Sequence, residues 1–167
     1  MNLDDHRPTV EQLAELLLGR KQTLVTAESC TGGLLAGVLT DLAGSSSWFY
    51  GGFVTYTLEA KRRCLGVEAQ TLDRWGAVSE PTAQAMAAGA LAHSSADLSV
   101  SVTGVAGPGG GEPLLPVGTV WFGWAERGRT LIHTAEHQFE GDRASVRDQA
   151  VDRALQGLLR LLETPVS

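Results

Sequence analysis

Three adjacent side chains in the stretch TAESCTGG, residues 26–33, could attack a carbonyl carbon. They are Ser29, Cys30 and Thr31, with an acid before them and a glycine pair after them. A buried strand that ends here and leads into a helix would bring unpaired helix N–H groups to the same place. Such groups bind anions and can stabilise an oxyanion. The stretch therefore fits an acyl-transfer site, although an ordinary helix cap explains Ser29 or Thr31 equally well.

A nucleophilic serine needs a base, and the chain offers few. The four histidines are His6, His93, His133 and His137. None adjoins a glycine-rich turn, and the first lies in a polar N-terminal tail, so a Ser–His–Asp triad has little support. The only lysines are Lys21 and Lys61. Lys61 could serve as the base if burial or the neighbouring Arg62 and Arg63 lowered its pKa, but a solvated surface lysine is the common alternative.

A cysteine nucleophile is less favoured. Cys30 would need surroundings that stabilise a thiolate, and a cysteine in an apolar strand-to-helix joint is more often part of the core.

A second strand end occurs at SVTGVAGPGGG, residues 101–111. Thr103 and Gly104 lie there as Ser29 does in the first unit. Two such ends side by side form a crevice in an α/β sheet. The glycine spacing does not match a phosphate-binding P-loop, and the alternative is a long flexible turn.

Two arginines begin the last predicted helix in FEGDRASVR, residues 139–147. Asp142 is the expected N-cap, and Arg143 and Arg147 lie four positions apart on one face. Cations at a helix N-terminus oppose the helix dipole, so an anionic ligand such as a phosphate would explain them. Pairing with Glu140, Asp148 or another acid is the alternative.

Strands alternate with helices along the chain, which predicts an α/β layered domain. The predicted helices span 9–19, 32–42, 58–65, 80–93 and 142–162, with Ser79 capping the fourth. The predicted strands span 23–28, 48–57, 97–104, 119–126 and 130–139. The last two form an antiparallel pair, so the sheet is expected to be mixed. Gly51-Gly52 indicates a bulge or a close backbone approach.

Composition narrows the class of protein. The 167 residues suit one domain, and a formal net charge of -6 does not in general attract nucleic acid or anionic membranes. The two cysteines lack metal-type spacing, and neither a signal peptide nor an apolar run of transmembrane length is found. We expect a soluble cytoplasmic protein.

Five stretches in order resemble the CinA C-terminal domain family. They are TAESCTGG, AGSSSWFYGGFVTYTLEAK, GAVSEPTAQAMAAGA, SVTGVAGPGGG with PVGTVWFGWA, and FEGDRASVR. The resemblance runs from about Val10 to Leu162 and implies a single three-layer α/β/α sandwich, usually oligomeric, so a homo-oligomer is expected. The chain resembles the standalone form, without the N-terminal domain of full-length CinA.

The resemblance also implies an activity, because some members are standalone nicotinamide-nucleotide amidases. They convert nicotinamide mononucleotide to nicotinate mononucleotide and ammonia, without a metal; no other cofactor and no nucleic-acid partner is expected. Ser29 would be the nucleophile and Lys61 its base, with Tyr56 hydrogen-bonded nearby and Thr103 lining the pocket. N–H groups near Thr31 to Gly33, at the helix start, would stabilise the oxyanion. The further residues expected at the substrate are Glu28, Thr31, Gly32, Gly33, Gly104, Gly107 and Arg143.

Three positions depart from the family pattern. The family often has Asn at Leu58, and Asp and Lys at Gly109 and Leu115. These changes keep open a second interpretation, a module that binds a nucleotide or a protein partner without catalysis, in a competence or DNA-damage pathway as the family's name suggests. Hydrolysis of a different small amide is a third.

Overall fold

Five strands form a mixed sheet at the centre of the molecule. The structure, a computed structural model, describes residues 1–164. The strands are β1 (Leu24–Glu28), β2 (Phe49–Val54), β3 (Leu98–Gly104), β4 (Thr119–Glu126) and β5 (His133–Gln138). Their spatial order is β2-β1-β3-β4-β5. β1 pairs in parallel with β2 and β3, whereas β4 is antiparallel to both of its neighbours. The expected mixed sheet is confirmed.

Helices cover both faces of this sheet. They are α1 (Leu3–Arg20), α2 (Leu34–Thr40), α3 (Leu58–Leu65), α4 (Ala69–Trp75), α5 (Glu80–Ala92) and α6 (Arg143–Glu163). Buried residues of α1, α2 and α6 pack in one apolar cluster against the sheet, and those of α3, α4 and α5 pack in a second. The predicted three-layer α/β/α sandwich is confirmed.

Two helices differ from the prediction made from the sequence. α1 begins at Leu3 and not at Thr9, because Asn2 caps it by accepting a hydrogen bond from Asp4 N at 3.3 Å. His6 is consequently a buried residue of α1, with Nε2 2.8 Å from Asp148 Oδ1, and not part of a polar tail. The short helix α4 was not predicted.

Glycine in β2 serves both of the predicted purposes. The register of the β1–β2 pair shifts, with Leu24 opposite Phe49 and Val25 opposite Gly51, which is a bulge. A Cβ on Gly52 would lie 2.5 Å from Thr26 Oγ1, so only glycine allows the two strands to approach this closely. β2 ends at Val54, three residues before the predicted end, and frees the segment that leads into α3.

Candidate active site

Ser29 lies at the carboxyl end of the parallel strand β1. Its amide donates to Val102 O of β3 at 2.9 Å, and the residue is 8% exposed. The chain then turns, with Gly32 N donating to Ser29 O at 3.0 Å. Gly32 and Gly33 have φ of 59° and 97°, values that favour glycine, so α2 begins only at Leu34. Ser29 is therefore held at the sheet edge where ligands of α/β proteins bind.

Lys61 brings a buried amine to this serine. It lies in α3, whose N-cap Thr57 accepts from Ala60 N at 3.1 Å. The side chain is fully buried; Nζ lies 2.8 Å from Ser29 Oγ and donates to Thr55 O at 2.7 Å. The interpretation of Lys61 as a solvated surface lysine is wrong.

Burial lowers the pKa of Lys61 to about 8, since an ammonium ion is poorly solvated there. Arg62 and Arg63, which the sequence suggested as the cause, are both exposed and are not the source of the shift. A lysine with this pKa is partly neutral near neutral pH, as a general base must be.

No histidine takes the role of base. His6 bonds to Asp148, His93 to the carbonyl of Gly89, and His137 to Arg153. His133 is exposed on β5. Within residues 1–164, Lys61 is the sole side chain hydrogen-bonded to Ser29 Oγ. The structure thus agrees with the argument against a Ser–His–Asp triad.

A cleft of about 270 Å³ opens beside Ser29. Its lining includes Ser29, Cys30, Tyr56, Thr103 and Arg143, together with glycines of the loop after β3. The crevice predicted between the ends of β1 and β3 is therefore present, and a small molecule in it would touch the serine.

Thr103 contributes to the wall of the cleft through its position on β3. Its Oγ1 donates to Ala77 O at 2.7 Å, which fixes the segment before α5 against the sheet. Gly104, Gly107 and Gly109 line the same wall. A Cβ on Gly104 would lie 2.6 Å from Val120 Cγ2, so β4 packs closely behind it.

Arg143 bridges the mouth of the cleft. It is the first residue of α6, after the N-cap Asp142, and donates to Tyr56 OH and to Gly107 O, each at 2.8 Å. Tyr56 is 58% exposed, and its hydroxyl accepts a hydrogen bond from Arg143 and forms none with Ser29 or Lys61. Within the described residues Arg143 forms no ion pair, so the alternative of pairing with Glu140 or Asp148 does not apply to it.

Glu28 has a different position from the one expected of a substrate contact. It is fully buried, and its carboxylate accepts from Leu35 N at 2.9 Å and Ala36 N at 3.1 Å in the first turn of α2. Thr31, Gly32 and Gly33, also expected at the substrate, are not among the residues that line the cleft.

Of the N–H groups expected to stabilise the oxyanion, those near Thr31 to Gly33 before α2, only that of Gly32 already has an acceptor within the described residues. Glu28 occupies two amides of that helix, and Gly32 N is bonded to Ser29 O. Over residues 1–164, the turn amides without a hydrogen-bond acceptor are those of Cys30, Thr31 and Gly33. Any donor that this turn offers to an oxyanion therefore comes from these three.

Cys30 packs in the core, as predicted. Burial raises the pKa of its thiol to about 11, and the smaller effects of Lys61 and Arg147 do not reverse the rise. The thiol stays protonated near neutral pH, which disfavours Cys30 as the nucleophile.

Sequence reasoning missed one group that holds the site together and did not predict the contacts of a second. Thr55 O, the second partner of Lys61, is a backbone atom that carries no sequence signal. Arg147, considered for phosphate or acid pairing, instead donates from Nε to Cys30 O at 3.0 Å and from Nη2 to Thr31 O at 3.2 Å. Its helical spacing from Arg143 was the signal that it faces the same region.

Metal-binding clusters and membrane-spanning helices are both absent from the described residues. Among residues 1–164 no cluster of three or more His, Cys, Asp or Glu side chains could hold a metal ion. No helix in that range is both long and apolar enough to cross a membrane.

Fold and site together define an α/β/α protein with a serine and a buried lysine paired in a cleft at the carboxyl ends of parallel strands. Residues 6–162 match the family model of the CinA C-terminal domain, and the chain belongs to that family.

Relatives at 41–53% identity span nearly the whole chain. The nicotinamide-nucleotide amidohydrolase PncC of Escherichia coli K12 is 53% identical over 149 residues, covering 89% of each chain. The protein of that name from Enterobacter agglomerans is 51% identical over 156 residues, covering 93% of each. A crystal structure of a CinA superfamily protein from Klebsiella pneumoniae superposes with a TM-score of 0.89 at 41% identity, covering 97% of this chain and 98% of that one.

Proposed function

We propose that the protein is an amidohydrolase that deamidates nicotinamide mononucleotide to nicotinate mononucleotide and ammonia. The observation that carries the proposal is the 2.8 Å contact between Lys61 Nζ and Ser29 Oγ at a cleft. The names of the 51–53% identical relatives supply the substrate.

In the proposed reaction, neutral Lys61 accepts the hydroxyl proton of Ser29 as Oγ attacks the carboxamide carbon. One N–H of the amine stays bonded to Thr55 O, which leaves the nitrogen lone pair directed at Ser29. The resulting tetrahedral intermediate carries its negative charge on the former carbonyl oxygen. Free turn amides, those of Cys30 and Thr31, donate to this oxygen, and each such donor is worth about 3–4 kcal/mol in comparable sites.

Collapse of the intermediate breaks the C–N bond. The Lys61 ammonium returns its proton to the departing nitrogen, so ammonia leaves and an ester of Ser29 remains. Neutral Lys61 then takes a proton from water, whose oxygen attacks the ester carbon. The acid product leaves and the Ser29 hydroxyl is restored, with no need for a metal or an organic cofactor.

Arg143 is the proposed contact for the substrate phosphate. Its two recorded hydrogen bonds, to Tyr56 and Gly107, use two of the five guanidinium N–H groups. The remaining donors lie at the mouth of the cleft, where a phosphate attached through a ribose would lie while the carboxamide reaches Ser29. Charge-assisted hydrogen bonds of this kind are stronger than neutral ones.

Replacing Arg143 by methionine is expected to raise KM for nicotinamide mononucleotide by about 10–100-fold, since a hydrogen bond to a charged group contributes about 1.5–3 kcal/mol. The rate on free nicotinamide, which has no phosphate, should be the same in the variant and in the unaltered protein. Steady-state ammonia release on the two substrates measures both effects. Tyr56→Phe keeps the arginine and removes its hydroxyl partner, so an equal, selective loss in that variant would contradict phosphate binding by Arg143.

The same assay on the unaltered protein tests the proposed function itself. Ammonia release from the nucleotide, in preference to free nicotinamide, is the expected result. Tight binding without product would instead favour the binding-module interpretation, for which the apolar Leu58 and Leu115 are the supporting features. A panel of other small amides covers the third interpretation, and the homo-oligomeric state stays a prediction.

A further inference from the structure

Arg147 holds two successive carbonyl groups of the turn that follows the nucleophile. Its Nε donates to Cys30 O at 3.0 Å and its Nη2 to Thr31 O at 3.2 Å. A guanidinium is planar and presents its donors in a fixed fork, so two contacts from one group define the orientation of both carbonyls. Arg147 is half-buried, and within residues 1–164 no carboxylate forms an ion pair with it.

The orientation of a carbonyl also fixes an amide. In a trans peptide the C=O of one residue and the N–H of the next point in opposite directions. The contact with Cys30 O therefore directs the Thr31 N–H away from Arg147, and the contact with Thr31 O does the same for the Gly32 N–H. The Gly32 N–H donates to Ser29 O. Because Ser29 O and the Cys30 N–H belong to the same peptide plane, the Cys30 N–H points away from the Gly32 N–H.

The amides of Cys30 and Thr31 are thus left with defined directions and, among the described residues, without acceptors. We propose that Arg147 is a positioning residue for the oxyanion site. It fixes the Cys30–Thr31 peptide plane directly, and through Thr31 O and the Gly32 N–H bond to Ser29 O it also fixes the Ser29–Cys30 plane, so that the N–H groups of Cys30 and Thr31 face the developing negative charge. This inference rests on the amidohydrolase function proposed above.

A second contribution comes from the position of Arg147 in the fold. It lies one helical turn after Arg143, so α6 carries both the proposed phosphate contact and the support of the turn. A Cβ on Gly32 would lie 3.3 Å from Arg147 Nη2, so a larger residue at Gly32 would press on the guanidinium. The neighbouring Asp148 is bonded to His6 of α1, which anchors this part of α6.

Arg147→Ala is expected to lower kcat for nicotinamide mononucleotide by about 10²-fold, because a misplaced group in an active site costs about that much. KM should stay within about twofold, since the substrate itself is not held by this side chain. Added methylguanidinium should restore part of kcat in this variant. Arg147→Lys should lower kcat about tenfold, because an ammonium lacks the rigid planar fork of donors that contacts both carbonyls.

Arg160→Ala is the matched control. Arg160 lies on the same helix, is exposed, and donates no side-chain hydrogen bond within the described residues, so its removal should leave both constants unchanged. The midpoint of thermal unfolding of every variant shows whether it is folded at the assay temperature. Should Arg147→Ala not fold, Arg147→Lys, which keeps the charge, decides the question.

Unchanged kcat in the folded variants, or a rise in KM alone, would overturn the proposal, and the rise in KM would make Arg147 a substrate contact. Ser29→Ala is assayed in parallel to separate this failure from a failure of the proposed function. If Ser29→Ala still releases ammonia at the full rate, the serine mechanism itself is wrong. If Ser29→Ala is inactive while Arg147→Ala keeps its kcat, only the positioning role is wrong.

Discussion

Ser29→Ala should lower the rate of ammonia release from nicotinamide mononucleotide by about 10⁴-fold or more, because losses of this size follow removal of a covalent nucleophile. The variant removes one oxygen atom from a residue that is 8% exposed, and leaves the amides of the turn in place. Binding should survive, since Thr103, Arg143 and the glycine loop are untouched. The measurement is a single-substrate ammonia assay together with a binding titration of the unreacted nucleotide.

Cys30 and Thr31 are the competing nucleophiles that this experiment must exclude. Cys30→Ala keeps the backbone amide and removes a thiol whose pKa burial raises to about 11, so it should retain most of the activity. A large loss in Cys30→Ala together with a small one in Ser29→Ala would reverse the assignment.

Lys61→Met should lower the rate by about 10³-fold, since a positioned general base contributes up to about that factor or somewhat more. Methionine has a similar length and no charge, and the site is fully buried, so the variant should fold. In the unaltered protein the rate should rise with pH as Lys61 loses its proton, and level off above the pKa of about 8. The variant should lack this rise, which a pH–rate profile of kcat/KM measures directly.

Lys21→Met is the natural control, since Lys21 is the other lysine of the chain and lies at the exposed C-terminal end of α1. Its profile should match that of the unaltered protein. A rise through the same pH range that persists in Lys61→Met would assign the titration to another group, and would contradict the role of Lys61 as base.

The layered fold could be predicted from sequence because its signals are local. Helical spacing of apolar residues, the caps Ser79 and Asp142, and the glycine pair in β2 each depend on a few neighbouring residues. The length of α1 was predicted too short because its first two turns are polar and contain Pro8. Asn2 nevertheless caps these turns, and His6 anchors them in the core. Tertiary contacts with Asp148, far along the chain, stabilise that segment.

The site was predictable in its residue types but not in its contacts. Because lysine is scarce in the chain, Lys61 could be proposed as the base. The burial of Lys61, however, depends on how α3 packs, which no local sequence pattern reveals. Glu28 was expected at the substrate because of its place in the motif. In the structure, both of its carboxylate oxygens accept hydrogen bonds from amides of α2. Tyr56 was expected beside the serine–lysine pair, but its hydroxyl bonds to Arg143, a residue 87 positions away.

In the proposed reaction the amide is cleaved through an ester of Ser29. Hydroxylamine added during turnover tests it most directly, because a stronger nucleophile than water captures an acyl-enzyme as the hydroxamate. We expect hydroxamate to replace nicotinate mononucleotide in proportion to hydroxylamine, while ammonia release is not slowed and Ser29→Ala forms neither product. Formation of the acid alone at every hydroxylamine concentration would indicate direct attack by water and would rule out the ester of Ser29.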